Sequence, residues 1–277
     1  WKDFWSTSYV DFGTEDENLN KVQKYYYGAQ YILGSTAKEG ELAPGLYGVW
    51  HTTDNATWHS DYHLNYNFIS TFYGTNSSNR PEIAMPGIQA LLDYVPEGQR
   101  RASDINEIRR INSDFVNKKV QKGDISEENG IPGAILYPVG IGPWGTTTDD
   151  VYLSEALDAA YNAYLMTQYY DYTLDEEFLN AGAYDYMKQA AAFYEAWLEK
   201  EGDEYVLYAG YNEGSWAKNP AVELAAVKNL LRHLISASET LGRDADKRET
   251  WTDIYNHLGD QPTTVVNGKK VLALGEK

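Results

Sequence analysis

Apolar residues recur at helical spacing through most of the chain. Between Leu19 and Leu33 the stripe is Val22, Tyr25, Tyr26, Ala29, Ile32 and Leu33, and Gly34 follows as a stop. Arg80-Pro81 opens a second helix, with Ile88, Leu91, Leu92 and Val95 on one side and Pro96 as its end. Gln99 to Val120 reads as one charged, solvent-facing helix that keeps Ile105, Ile108, Ile111 and Phe115 together. Leu153 to Tyr172 carries Leu153, Leu157, Ala160, Tyr161, Tyr164 and Leu165 on one face. Ala183 to Glu199 repeats the pattern with Met187, Ala190, Ala191, Tyr194, Trp197 and Leu198. Ala221 to Leu241 does so with Leu224, Val227, Leu230, Leu231, Leu234 and Ile235, and Gly242 suits the C′ position. Glu249 to Leu258 is a shorter helix before Gly259. Asp175-Glu176-Glu177 reads as a helix start, and Asp149-Asp150 as a cap for the helix near 151.

The segments between these helices have unusual content. Positions 40–67 are rich in Trp, His and Asn, 130–150 in Gly and Pro, and 203–219 contain YAGYNEGSW. Long structured loops in a compact domain tend to carry function. Three of them interleaved with helix pairs suggest helical hairpins that present loops on one face. The tail, TTVVNGKKVL from Thr263 to Leu272, places two β runs around Asn267-Gly268, which signals a type I′ hairpin. A lone hairpin is marginal. Its position at the end of the chain, and a first residue that is Trp1 rather than Met, suggest a piece of a longer polypeptide. No repeat or clear linker divides 1–277, so a single domain is expected.

Composition narrows the function. A hydrophobic share of 43% excludes a disordered chain. A net charge of −18 repels nucleic-acid phosphates and anionic lipid head groups, so neither is an expected partner. No apolar run is long enough for a membrane span and no signal peptide is visible. The absence of Cys removes disulfides, thiolate metal sites and Cys nucleophiles. The aromatic usage is skewed, with 24 Tyr and 8 Trp against 7 Phe. Tyr and Trp join a flat apolar face to a polar edge, which suits sugar rings as well as it suits a core of large helices.

The segment WHSDYHLNYN, Trp58 to Asn67, sets Asn65 and Asn67 around a Tyr in an aromatic run. Asn disfavours both helix and strand, so the pair either ends an element or is held for chemistry. On a helix, His59 and His63 would share a face and could bind metal, but a hydrogen-bonding or solvent-facing role accounts for them better and no cofactor is implied. Glu213 stands among Tyr211, Asn212, Gly214 and Trp216. A carboxyl enclosed by aromatics loses hydration and holds its proton more tightly, as a general acid must; an ordinary solvated loop Glu is the alternative.

These residues occur in a telling order. WKDFWSTSYVDFG opens the chain, and ELAPGLYGVWHTTDNATWHSDYHLNYN follows a helix. Then come YTLDEEFLNAGAYDYMKQAAAFYEAWL, YVLYAGYNEGSW, VELAAVKNLLRHLISASETLG and VVNGKKVLAL. The order resembles the first half or so of the catalytic region of glycoside hydrolase family 95, the α-L-fucosidase family. The resemblance implies an all-α fold, an (α/α)6 toroid of helical hairpins with a glycan pocket on its loop side. About eight helix candidates fall short of a closed ring, so the toroid is expected to be incomplete here, as the N-terminal portion of the catalytic domain, with little activity of its own. The missing C-terminal part of the same polypeptide is then a needed partner.

The resemblance also implies roles. The N-x-N motif that holds the attacking water is Asn65-Tyr66-Asn67, and the general acid is Glu213. Trp58, Asp61, His63, Trp144, Tyr211 and Asn212 are expected to bind substrate, with Asp61 also the nearby carboxylate to stand behind the amides. The sequence departs from the family at YNEGS, where a loop like SPEN is usual, and at FISTFYG after N-x-N. It implies an inverting hydrolase that releases a terminal sugar such as α-L-fucose or α-L-galactose from an oligosaccharide or polysaccharide. The alternatives are a non-catalytic glycan-binding fragment, or another (α/α)6 enzyme, a phosphorylase or lyase. A secreted, cell-surface or periplasmic bacterial location is expected.

Overall fold

The computed structural model describes residues 1–210 and 213–276. The chain is mostly helical, with a few short antiparallel strands. In order the helices are α1 (Lys2–Thr7), α2 (Glu17–Thr36), α3 (Asn67–Thr71), α4 (Met85–Asp93), α5 (Val95–Ala102), α6 (Ile105–Arg109), α7 (Ser113–Lys122), α8 (Asp158–Thr173), α9 (Glu176–Phe178), α10 (Tyr184–Trp197), α11 (Ala221–Leu241) and α12 (Arg248–His257). None is long and apolar enough to cross a membrane. The strands are β1 (Tyr62–His63), β2 (Gly140–Gly142), β3 (Thr146–Thr147), β4 (Glu199–Glu201), β5 (Glu204–Val206), β6 (Tyr208–Gly210), β7 (Trp216–Lys218), β8 (Thr263–Val266) and β9 (Lys269–Leu272).

Local chemistry explains where helices start and stop. Asp175 accepts a hydrogen bond from the Phe178 N–H, so the acidic cluster does open α9. Gly242 ends α11 at φ 64°. Asn267 and Gly268, at φ 51° and 75°, turn the β8–β9 hairpin. Pro96 begins α5 instead of ending α4, because a first-turn proline loses no helical bond. The single helix expected over Gln99–Val120 is three. Asp104 and Asn112 cap α6 and α7 by accepting from the Asn106 and Phe115 N–H groups, and each cap breaks the run before it. This region is not a solvated face either: Arg101 and Lys119 are buried, paired with Glu107 and Asp150, and with Asp124 and Glu199.

The core is built on α11, which packs against α8, α10 and α12. Small buried residues on α8 (Ala159, Ala160 and Ala163) let the α11 side chains Leu224, Val227, Leu231 and Leu234 pack into the same core. Much of the tyrosine excess is spent here. Tyr186 and Tyr194 of α10 are buried, and their hydroxyls donate to the Ala159 and Ala156 carbonyls at 2.9 Å each. Tyr137 likewise donates to Leu91 O. A buried hydroxyl must find a partner, and backbone carbonyls near helix ends supply it.

One turn places the loop face. The residues Leu153 to Leu157, expected to be helical, precede α8 as an irregular turn with Leu153 and Ser154 at φ 45° and 63°. The Gly210 N–H donates to Ser154 O at 2.8 Å. A Cβ on Gly210 would stand 1.9 Å from Leu153 O, so only glycine allows this approach. Gly210→Ala should therefore cost on the order of 2 kcal/mol in chemical denaturation. Gly28→Ala, in mid-α2 with open space around it, should instead stabilise by up to about 1 kcal/mol. Equal effects at the two positions would refute the contact.

Candidate active site

The cleft wall starts at a strained turn. Trp58, His59 and Ser60 lie consecutively at φ 49°, 53° and 51°, a conformation that costs each of them free energy. It is held by the Leu46 N–H donating to Asp61 O at 3.0 Å and by Gly45, where a side chain would collide with Ser60 O. The chain then enters β1, which pairs antiparallel with β2 in the register Tyr62↔Ile141 and His63↔Gly140. His59 and His63 thus lie in different elements and share no helix face. Leu64 is pinned at both ends: its N–H donates to Val139 O and its carbonyl accepts from Asn162 Nδ2, each at 2.7 Å. Tyr66, at φ −165° and ψ −50°, breaks the strand and α3 begins. Asn65 is consequently buried, while Asn67 is exposed at the cleft.

The cleft has a volume of about 290 Å³, and Trp58, His63, Asn67, Asp149, Tyr152 and Glu213 are among its lining residues. Trp58 and His63 stand with ring centres 6.2 Å apart. Glu213 reaches the cleft from the connection between β6 and β7, whose register closes at Gly210↔Trp216. It is exposed and sits at φ 54°. Its N–H donates to Glu155 Oε1 at 2.6 Å. Asn65 Nδ2 lies 3.5 Å from both Glu213 Oε1 and Glu155 Oε2, long contacts aimed at two carboxylates. Asn65 Oδ1 is buried without a protein donor among the described residues.

The electrostatics beneath the cleft are acidic and dry. Glu155 is only 2% exposed, and burial pushes its carboxyl up, against the opposing effect of the Glu213 N–H and Asn65 hydrogen bonds. Asp158 and Glu223 are fully enclosed; burial first, then neighbouring carboxylates, raises both well above the usual range. Glu223 Oε1 accepts from the Ala156 N–H at 3.0 Å. His63 is raised by its hydrogen bond to Asp61, with burial opposing.

The residues singled out by sequence divide into groups. Trp58, His63, Asn67 and Glu213 meet in one cleft, with Asn65 directly behind it. Asp61 does not stand behind the amides. It is buried, with Oδ1 3.2 Å from His63 Nδ1 and Oδ2 accepting from Thr148 Oγ1 at 2.7 Å, so it orients the imidazole. The carboxylates that reach Asn65 are Glu155, from beneath, and Glu213. Trp144 lies on the turn between β2 and β3, 76% exposed and outside the cleft lining, because that turn packs on α4. Tyr211 and Asn212 lie outside the described residues. Glu213 is exposed, and Trp216, expected beside it, packs against Phe115 and lines a separate cavity. Asp149 and Asp150 cap no helix: Asp149 faces the cleft and Asp150 pairs with Arg101 and Arg110. Glu155, Asp158 and Glu223 were hidden inside helical stripes and Tyr152 stood just ahead of one, and only the content of the loops before them marked the neighbourhood.

Residues 6–270 match the sequence profile of the Glycosyl hydrolase family 95 catalytic domain. The chain belongs to this family. The chain is 23% identical over 245 residues to Alpha-L-fucosidase 2 of Arabidopsis thaliana, covering 83% of this chain and 26% of that protein. It is 30% identical over 97 residues to Probable alpha-fucosidase A of Aspergillus oryzae, covering 35% and 13% respectively. This chain thus spans about a quarter of the plant relative's length.

The buried acids give this family 95 chain a pH signature. Glu223 and Asp158 have native pKa values above their unfolded ones, so the native state keeps protons that the unfolded chain releases. That stability is full below the ordinary carboxylate range and is lost as pH rises toward the native values. Melting temperature should fall as pH is raised from about 5 toward 9. Glu223→Gln, which keeps the acceptor for Ala156 N–H, should flatten the fall by up to about 1.4 kcal/mol per pH unit. A pH dependence identical to that of the wild type would refute the buried-acid assignment.

Proposed function

We propose that this chain belongs to the catalytic region of an inverting glycoside hydrolase that releases a terminal neutral sugar, α-L-fucose or α-L-galactose, from a glycan. The observation that carries this is the meeting of an exposed Glu213 with Asn65 and Asn67 at one cleft in a family 95 catalytic domain. Two relatives whose names say fucosidase support the sugar class. The helices would form part of an (α/α)6 toroid that presents this cleft on its loop side.

The chemistry follows from the groups present. Glu213 donates its proton to the departing glycosidic oxygen. The carboxamide oxygens of Asn65 and Asn67 accept from a water and aim it at the opposite face of the sugar; as the water oxygen bonds to the anomeric carbon the glycosidic C–O bond breaks, and the water's proton passes to solvent, from which Glu213 is reprotonated. Asn65 Oδ1 has its acceptor capacity unspent on protein donors. Trp58, 55% exposed beside His63, offers a flat face to the sugar C–H bonds.

The charge of the cleft favours hydrolysis over the other reactions of similar toroids. Asp149 and Glu213 line it, and no Lys or Arg does among the described lining residues. A phosphate or a uronate would meet the like charges of Asp149 and Glu213 with His63 as the one counter-charge among the described lining residues, whereas a neutral sugar and water meet no repulsion.

In the natural full-length polypeptide, Glu213→Gln should lower turnover of an aryl α-L-fucoside by about 10³-fold while fucose binding persists in calorimetry. Full turnover by that variant would reject the acid. Proton NMR of the wild-type reaction should show the β-anomer of the released sugar first; the α-anomer first would reject inversion.

A further inference from the structure

The Glu155 carboxylate is the junction of the site. Oε1 accepts from the Glu213 N–H at 2.6 Å, and Oε2 faces Asn65 Nδ2 at 3.5 Å. One side chain therefore touches both groups assigned to the chemistry, from beneath the cleft. It is 2% exposed, and no Lys, Arg or His pairs with it among the described residues. A buried carboxylate without a cation is an expensive choice for stability alone.

The backbone around it is over-determined. Glu155 N–H donates to Tyr152 O at 2.9 Å, and the next peptide is held at both ends. The Ala156 N–H donates to Glu223 Oε1, and the Ala156 carbonyl accepts from the Tyr194 hydroxyl. The two preceding residues lie in the left-handed region. Strain held in place by several bonds at a cleft points to placement of the residue it carries.

We infer that Glu155 is the positioning residue of the reaction, a double acceptor that sets the Asn65 amide and the Glu213 backbone together. This rests on the reading of Glu213 as acid and Asn65 as water holder. The role needs two acceptor oxygens. With Nδ2 turned to Glu155, Asn65 is fixed in the orientation that leaves Oδ1 for the water. A glutamine at 155 has one acceptor and one donor. If its oxygen keeps the Glu213 N–H, its amide faces Asn65, and Asn65 must turn over, bringing Oδ1 to it and presenting Nδ2 where the water was accepted. Binding of the sugar is untouched; the aim of the water is lost.

The test uses the natural full-length polypeptide and an aryl α-L-fucoside. Glu155→Gln should lower kcat by about 10²-fold with KM within about twofold. Its melting temperature should be no lower than that of the wild type below neutral pH. Glu155→Asp, which keeps two acceptors on a shorter stem, should recover about tenfold of that loss. A neutron crystal structure of Glu155→Gln, in which the amide nitrogen and oxygen are told apart, should show the Asn65 amide rotated. Unchanged kcat in Glu155→Gln, or Glu155→Asp no better than Glu155→Gln, overturns the proposal. If Glu213→Gln retains full turnover, the acid assignment fails instead, and the Asn65 orientation in the Glu155→Gln crystal still decides whether Glu155 sets the amide.

Discussion

The close approach of Gly210 to the turn at Leu153–Ser154 is the contact on which the loop face depends. It has no room for a side chain and is closed by one backbone hydrogen bond. On one side of it the turn delivers Glu155; on the other the β6–β7 connection delivers Glu213. Neither segment is long enough to form structure that is stable by itself. Each takes its conformation from the other and from the α8–α10–α11 core beneath, through Tyr194 and Glu223. The second half of the face, β1 and Asn65, is tied to the same core by Asn162, whose Nδ2 bridges the Asp158 and Leu64 carbonyls. The helices thus act on the cleft through side chains that grip backbone, which places groups more firmly than contacts between side-chain tips.

How much of this was legible in the sequence depended on whether local or distant forces decide. Helix α11 begins and ends where its stripe and Gly242 put it, because propensity, periodicity and cap agree. The β8–β9 hairpin also follows from its turn residues alone. The Gln99–Val120 error has a local cause, since Asp104 and Asn112 could have been read as caps inside the run. The Leu153–Leu157 error has a distant cause. Nothing in that stretch announces that Gly210, far along the chain, will dock on it.

The candidate site divides along the same line. Trp58, His63, Asn67 and Glu213 stand in loops of odd composition, and odd composition can be seen. Glu155 and Glu223 sat on stretches that periodicity called helical, where a Glu is unremarkable. Asp61 was chosen for its proximity in sequence to the amides, yet in β geometry its neighbour is His63 two residues on, not Asn65. Trp144 was chosen for its residue type, which says nothing about which end of a β-turn it will occupy.

The buried acids also change what the protein's charge means. The formal count of −18 treats every Asp and Glu as ionised. Burial favours the protonated forms of Asp158 and Glu223 in the core, so the folded chain is less negative than that count. Folding therefore takes up protons: the chain draws them from the buffer as its core closes, and returns them when it opens. The heat of that transition will include the ionisation heat of whatever buffer supplies them.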